Sequence, residues 1–269
     1  MTDLYYGRNV KIRVTDPANN EILEVDDTRV IFEVQQTIDP FPNIGTIKIY
    51  NPSSDFSNFA NRENMKLDIL ISYFEDKYKV LFLGDIKRAY SLNTNIDNIF
   101  VIEVGDSEKA ITTSFLNKSY TNGIKKKTIV SDCIKILGID VLSNTLNRVT
   151  GTYNGGFVSF NKVIDVLDII INSLNLEYSI QNNQMVITEK GEIDSNNFII
   201  IDYENGLLKK PMRLQDGGFL LNCLLEPKYS VQKTIFLNVP DLEGYFQIRN
   251  IDFIGDNEKH KWEVNLICQ

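Results

Sequence analysis

Two long alternating runs near the end of the sequence constrain the fold more than any other feature. From Trp262 to Cys268 apolar and polar residues alternate, which is the period-2 pattern of a half-buried β-strand. In the run before it, the apolar positions change phase between Ile248 and Ile251, and a one-residue shift of this kind predicts a β-bulge. A bent strand suits the corner of a barrel. The stretch 244–268 is therefore predicted to be two antiparallel strands, one of them bulged.

The first hundred residues repeat the strand pattern. Alternating runs predict strands at 10–14, 30–34, 44–50, 66–74, 79–90 and 99–104. Pro52 ends the third run because proline cannot donate to a β-ladder. Residues 55–61 have the spacing of a short helical turn. Gly84, in the middle of a strand, predicts a bend or a close approach of another backbone.

The middle of the chain changes to helical spacing. A helix is predicted at 128–137, with Thr128 as its N-cap and Gly138 as its stop. A second helix, at 162–174, is apolar over most of its girth, so neighbours must cover it on more than one side. A short helix at 107–113 and a small hairpin at 177–188 complete this α+β segment.

These patterns predict an α+β protein that is predominantly β. Its predicted parts are a first antiparallel β-barrel domain at 1–106, an α+β domain at 107–195 and a second β-barrel domain at 196–269. The two ends are candidates for a duplicated barrel, although the sequence shows no repeat that proves it.

Charge and cysteine usage exclude several classes of protein. A net charge of −8 argues against a grip on nucleic acid, which needs clustered Lys and Arg. The widely spaced cysteines Cys133, Cys223 and Cys268 are predicted to be small buried hydrophobes in a reduced protein. The N-terminus lacks the pattern of a signal peptide, and no apolar run reaches the ~20 residues that a membrane span needs. We expect folding in a cytoplasm and no contact with a membrane.

Candidate catalytic groups are few. The single histidine, His260, lies in a charged loop, so a Ser-His-Asp triad or a multi-histidine metal site is hard to build. Asp85, Glu103 and Asp106 could converge as a carboxylate site, but the solvent face of a sheet normally carries such residues. The glycine pairs lack the spacing of a phosphate loop. The sequence therefore predicts no enzyme, metal or cofactor, and favours contact with other proteins.

Two stretches resemble a known family. The run NIGTIKIYNPSSDF and the hairpin that follows it resemble the first barrel of baseplate hub proteins from contractile-tailed bacteriophages. There an "IYN" strand end leads through a helical turn to a hairpin with the pattern F-x-G-x-I, here Phe82, Gly84 and Ile86.

The C-terminal part resembles the second barrel of that family. The matching positions are Gly206, Leu207 and Pro211; Leu224, Leu225 and Pro227; Gly244 and Phe246; and Gly255, Asp256 and Trp262. The chain departs from the family pattern at Lys209 and Lys210, where glycine is common, and at 229–232, which lacks a usual glycine. Loop contacts of the family are not carried over to those positions.

The resemblance implies a homotrimer with two tube-like barrels in each chain. Six barrels would form a ring that joins a hexameric tail tube protein to a trimeric central spike protein, among other baseplate proteins, with DNA passing through the lumen unbound. Leu167 and Ile170 would then pack between a barrel and its neighbour. The implied location is the virion tail of a phage, a bacteriocin or another contractile particle. The alternatives are a tail-tube or tail-tip subunit and, from another class, a carboxylate-dependent cell-wall hydrolase.

Overall fold

A computed structural model describes residues 7–39, 43–73, 77–94, 96–105, 113–215, 217–240, 242–259 and 261–269. Its strands are β1 Arg8–Asp16, β2 Glu21–Val25, β3 Val30–Thr37, β4 Ile44–Tyr50, β5 Lys66–Tyr73, β6 Lys79–Asn93, β7 Asn98–Gly105, β8 Phe115–Tyr120, β9 Ile124–Lys125, β10 Asp140–Val141, β11 Thr152–Tyr153, β12 Phe157–Lys162, β13 Leu176–Gln181, β14 Gln184–Glu189, β15 Phe198–Ile201, β16 Met212–Arg213, β17 Phe219–Leu224, β18 Thr234–Val239, β19 Leu242–Asp256 and β20 Trp262–Cys268. Its helices are α1 Ser54–Ala60, α2 Lys126–Leu137, α3 Ser143–Leu146 and α4 Val163–Asn172. The predicted class, α+β and predominantly β, is confirmed.

The chain divides into two compact units. The sheet unit consists of Met1–Gln36, Asn43–Asp106 and Ile193–Gln269, and the helical unit consists of Thr37–Pro42 and Ser107–Glu192. Both ends of the chain therefore belong to one unit.

One continuous sheet joins the two ends of the chain. Its strands run in the order β16-β17-β20-β19-β3-β4-β7-β6-β5-β1-β2, and β18, with β15 beside it, pairs with β19. In the described residues this path is open and shows no closed barrel. The two terminal segments meet where β19 lies beside β3. Their assignment to two tube-like barrels stays a prediction.

The opening prediction, a bulged strand and its return, is confirmed. β19 and β20 pair antiparallel, and their register shifts between Ile248 and Asn250. The first part of β19 pairs with β18, and the part after the bulge pairs with β20. Along β20 every second residue from Trp262 to Cys268 is buried, as the alternation predicts.

The N-terminal predictions are also confirmed. β5 and β6 form the predicted hairpin, and α1 follows β4 with Ser53 as its N-cap. Phe56, Phe59 and Ala60 of α1 are buried. In β1 the side chains of Val10, Ile12 and Val14 face the core, while the residues between them are partly exposed.

Two helices organise the helical unit. α4 contacts α2 and the strands β8, β12 and β13, which confirms that several neighbours cover its apolar girth. Its buried side chains are Val163, Val166, Leu167, Ile170 and Ile171. The N-cap prediction for α2 is wrong, because the helix begins at Lys126 and Lys125 occupies the cap position without a side-chain hydrogen bond. Gly138 ends α2 as predicted, with φ of 67° in the left-handed region that glycine tolerates.

The three cysteines are free and buried, as predicted. Burial raises the pKa of the Cys133 and Cys223 thiols to about 12, so neither is poised as a nucleophile. In the part of the chain that the structure describes, no helix has the length and apolarity to cross a membrane. Asp106, His260 and nearly all of the helix predicted at 107–113 lie outside the described residues.

Candidate functional site

Two of the three carboxylates considered for catalysis, Asp85 and Glu103, lie on neighbouring strands of the large sheet. Asp85 of β6 pairs with Gly105 and with Lys66, and Glu103 of β7 pairs with Arg88 and Thr46. Glu103 accepts a 3.4 Å hydrogen bond from the hydroxyl of Tyr90. Among the described side chains, no group of three His, Cys, Asp or Glu residues could hold a metal ion.

The last motif of the C-terminal segment, formed by Gly255, Asp256 and Trp262, lies where the two ends of the chain meet. Asp256, at the end of β19, is buried and forms a two-pronged ion pair with Arg29, which precedes β3. The two guanidinium nitrogens lie 3.2 and 2.7 Å from the carboxylate oxygens. We call this region, where β19 and β20 meet the start of β3 and the end of β5, the end junction.

The Asp256 carboxylate also shapes its own turn. It accepts hydrogen bonds of 3.1 Å from the backbone N–H groups of Glu258 and Lys259. Burial alone would raise the pKa of this carboxyl, but the hydrogen bonds from Arg29 and from the two N–H groups prevail and lower it. Asp256 is therefore ionised at neutral pH and holds the turn and the ion pair together.

Asn257 adds a second tie to the N-terminal segment. Its side-chain oxygen accepts from the N–H of Val30 at 2.8 Å, and its amide nitrogen donates to the carbonyl of Thr28 at 3.0 Å. The side chain thus satisfies backbone groups at the start of β3, as a further strand would.

Trp262 fills the apolar side of the end junction. Its indole N–H donates to the hydroxyl of Tyr73 at 2.8 Å, and that hydroxyl donates to the carbonyl oxygen of Leu225. The Trp262 ring packs edge-on against Phe32 and Tyr73, with ring centroids 5.8 and 6.3 Å apart. Burial raises the pKa of Tyr73 to about 12, so its hydroxyl keeps its proton and can donate. Trp262 and Leu225 are both family-motif positions, and Tyr73 connects them.

Gly255 stands directly against the ring of Phe32. A Cβ atom at this position would lie 2.3 Å from two carbons of that ring, closer than any real contact. Phe32 is fully buried and packs on Trp262, so its ring has little room to move. The motif glycine is therefore required by packing.

Two further C-terminal motifs lie side by side. The carbonyl of Gly206 accepts from the N–H of Leu224 at 2.8 Å, and Leu207 forms a β-bridge with Cys223. Gly206 has φ of 100°, where a side chain would be strained. Pro211 lies between this loop and β16, and Pro227 follows β17. The segment that carries Gly206 and Leu207 thus pairs with the strand end that carries Leu224.

The F-x-G-x-I motif of β6 is a packing motif too. Phe82 is fully buried, and Ile86 pairs with Val104 beside a register shift. A Cβ on Gly84 would lie 2.7 Å from the Phe82 ring and 3.2 Å from the carbonyl oxygen of Gly105. The close backbone approach predicted for Gly84 is therefore confirmed.

Gly244, Leu167 and Ile170 are among the sequence-predicted positions that lie away from the end junction. Gly244 pairs with Leu237 in the first part of β19. Leu167 and Ile170 are fully buried in the core of the helical unit, whereas their neighbour Ile169 is half exposed. Leu167 and Ile170 are therefore core residues of the helical unit.

Sequence reasoning missed the N-terminal half of the end junction. Arg29, Phe32 and Tyr73 are separated from their partners by roughly two hundred residues, and nothing in their local pattern marks them.

The fold is shared with phage tail proteins. The 43 kDa tail protein of prophage MuSo2 from Shewanella oneidensis superposes with a TM-score of 0.67 and 8% identity, over 97% of this chain and 98% of that one. A tail protein from Neisseria meningitidis MC58 gives 0.64 and 11% identity, over 98% and 96%. The E. coli c3393 protein, described as a type VI secretion component with structural similarity to the T4 tail proteins gp27 and gp5, gives 0.56 and 10%, over 90% and 73%.

The sequence itself matches no protein-family model and no curated protein. At these identities the likeness establishes the fold, and the fold spans both the sheet unit and the helical unit. The chain therefore has the fold of phage tail proteins, which confirms at the level of structure its resemblance to the baseplate hub proteins.

Proposed function

We propose that this protein is a structural baseplate hub subunit of a contractile tail. Three copies would form a ring that joins a hexameric tail tube protein to a trimeric central spike protein. The segments 1–106 and 196–269 would supply the two tube-like parts of each chain, and 107–195 would lie between them in sequence. The particle would be a phage tail or a related contractile assembly, built in the host cytoplasm.

The observation that carries the proposal is the near-complete match to tail proteins. Two of them superpose over 97–98% of this chain and 96–98% of their own length, so the whole architecture is shared and not one common domain. The match to a type VI secretion component is consistent with a role at the spike end of a contractile machine.

The large sheet supports the same role. Both ends of the chain contribute strands to it, and the end junction ties them with an ion pair, hydrogen bonds and aromatic packing. A threefold assembly that meets a sixfold tube must offer six similar surfaces, and two similar segments per chain would meet that need. Gly255, Asp256 and Trp262 would then fix the angle between the two segments.

The residues favour a structural role over catalysis. The carboxylates Asp85 and Glu103 lie on the sheet with ordinary strand neighbours, and the motif residues serve packing and turns. The net charge of −8 suits a conduit through which DNA passes, because like charges repel.

Co-expression with candidate tube and spike proteins tests the proposal. Native mass measurement of the purified complex should give three copies of this chain for each spike trimer. Six copies would favour a tail-tube subunit. Hydrolysis of purified cell wall by the intact chain, lost in the double variant Asp85→Asn, Glu103→Gln, would favour the hydrolase.

A further inference from the structure

The two-stranded sheet formed by β8 and β12 has an apolar face open to solvent. Phe115, Val158 and Phe160 are 50%, 61% and 71% exposed. In the register of the pair, Phe160 lies opposite Asn117, Val158 opposite Ser119 and Phe115 opposite Lys162, so these six side chains share one face. On the other face Leu116 and Ser159 are buried. We call the exposed side the outer ribbon face.

An apolar face on so small a sheet is unusual for a surface that stays in water. Contiguous exposed apolar patches on soluble proteins mark contact sites more often than chance. The outer ribbon face is therefore expected to be covered in the working assembly.

A depression on the large sheet has complementary properties. It has a volume of about 260 Å³ and is lined by Glu33, Gln35, Ile44, Gly45, Thr46 and Asp252. A cavity of ~150 Å³ already accepts a benzene ring, so the space is sufficient for a phenyl side chain. Ile44, 51% exposed, provides apolar contact, and two carboxylates stand at the same place. We call it the sheet depression.

On the outer ribbon face an aromatic ring and a positive charge lie close together. Phe160 and Lys162 are two residues apart on one face of β12, about 7 Å along the strand. A phenyl ring seated in the sheet depression would place the ammonium group of Lys162 within reach of its carboxylates. Lys162 is the only ionisable side chain among the six of the outer ribbon face, and its sign is opposite to that of Glu33 and Asp252.

We propose that the outer ribbon face of one copy docks on the sheet depression of a second copy, with Phe160 inserted and Lys162 paired with Glu33 and Asp252. The two surfaces differ, so the contact is head-to-tail, and repeating it generates a closed ring when the rotation allows. The inference rests on the proposed homotrimer and names the contact between its subunits. The outer ribbon face has six side chains, whereas a stable stand-alone interface uses roughly 20–30 residues per partner, so this contact would contribute to a larger one.

Charge reversal provides a sharp test. Association of the chain with itself is measured by light scattering, alone and with the spike and tube proteins. Phe160→Asp should weaken self-association at least tenfold, because it places a carboxylate against two others. Lys162→Glu and Glu33→Lys should each weaken self-association. The double variant Lys162→Glu, Glu33→Lys should return self-association to within about threefold of wild type.

Two controls separate docking from folding and from nonspecific effects. Ile96→Asp changes a 91% exposed residue in the turn between β6 and β7, and should associate as wild type does. Phe160→Cys combined with Ile44→Cys should yield disulfide-linked oligomers on oxidation, since the native cysteines are buried. Every variant should keep the wild-type melting temperature within about 2 °C, because the changed side chains are exposed.

The outcomes distinguish this inference from the proposed function. If Phe160→Asp and Lys162→Glu assemble like wild type into a three-copy ring, the docking is wrong and the hub function stands. If the wild-type chain stays monomeric with both spike and tube proteins present, both are wrong. Rescue of self-association by Lys162→Glu, Glu33→Lys, together with disulfide cross-links between copies of Phe160→Cys, Ile44→Cys, would establish the contact.

Discussion

Replacing Gly255 with alanine should destabilise the sheet unit strongly. The new Cβ would lie 2.3 Å from two carbons of the Phe32 ring and 3.0 Å from a third. Phe32 cannot retreat, because it is fully buried and packs on Trp262. Overpacking a well-filled core costs about 1–3 kcal/mol, and a contact this short with a trapped ring belongs at the upper end, about 3 kcal/mol. For a unit of this size the melting temperature should fall by roughly 6–12 °C.

The chain contains its own reporter for this measurement. Trp262 is the single tryptophan of the sequence and lies in the end junction. Its fluorescence during urea or thermal unfolding therefore follows the region that the substitution perturbs. The matched control is Gly155→Ala, where an added Cβ meets nothing within 4 Å and where the free energy of unfolding should change by less than about 0.5 kcal/mol.

A double-mutant cycle identifies the cause. Phe32→Leu removes the ring that the new methyl group meets, so the double variant Gly255→Ala, Phe32→Leu should lose less stability than the sum of the two single variants. If Gly255→Ala melts like wild type, or if the two effects simply add, the packing explanation of the motif glycine is wrong.

Further predictions concern the end junction and the cysteines. Asp256→Asn should cost about 2 kcal/mol at pH 7, because it leaves a partly buried Arg29 without its counter-charge. The pKa of Asp256 is lowered in the folded state, so the ion pair stabilises the fold fully above about pH 4, and this stabilisation is lost as the pH falls through the folded pKa. Unfolding measured against pH should therefore show the stabilities of wild type and Asp256→Asn converging in acid. A stability difference that stays constant with pH would contradict the role of the ion pair. Trp262→Phe should cost about 2 kcal/mol, since it removes the donor to Tyr73 and part of the packing, and an unchanged urea midpoint would refute that role. The three thiols should resist a thiol reagent in the native protein and all react in urea, so rapid native labelling would contradict their burial.

Local patterns predicted the local structure well. The bulge in β19, the hairpin of β5 and β6, the turn of α1 and the end of α2 at Gly138 each depend on a few neighbouring residues, and each was found as predicted. The N-cap at Thr128 failed because Lys125 pairs with Thr152 in a short ladder, which starts the helix earlier. A hydrogen bond from outside the helix thus overrode the local capping preference.

Contacts between distant segments could not be predicted from the sequence. Nothing near Asp256 indicates that Arg29 is its partner, and nothing near Trp262 indicates Tyr73. The sequence also did not predict which apolar residues of α4 are buried, because its apolar stripe does not show that Leu167 lies in the core while Ile169 is exposed. Several motif positions have packing or turn roles in the structure, as Gly255, Asp256 and Trp262 show.

The most direct test of the hub proposal is the averaged image of the assembled particle, with this chain labelled at an exposed site. The proposal predicts three labels in a ring of sixfold-like symmetry, placed between the tube and the spike. Six labels in the ring, or labels along the length of the tube, would contradict it.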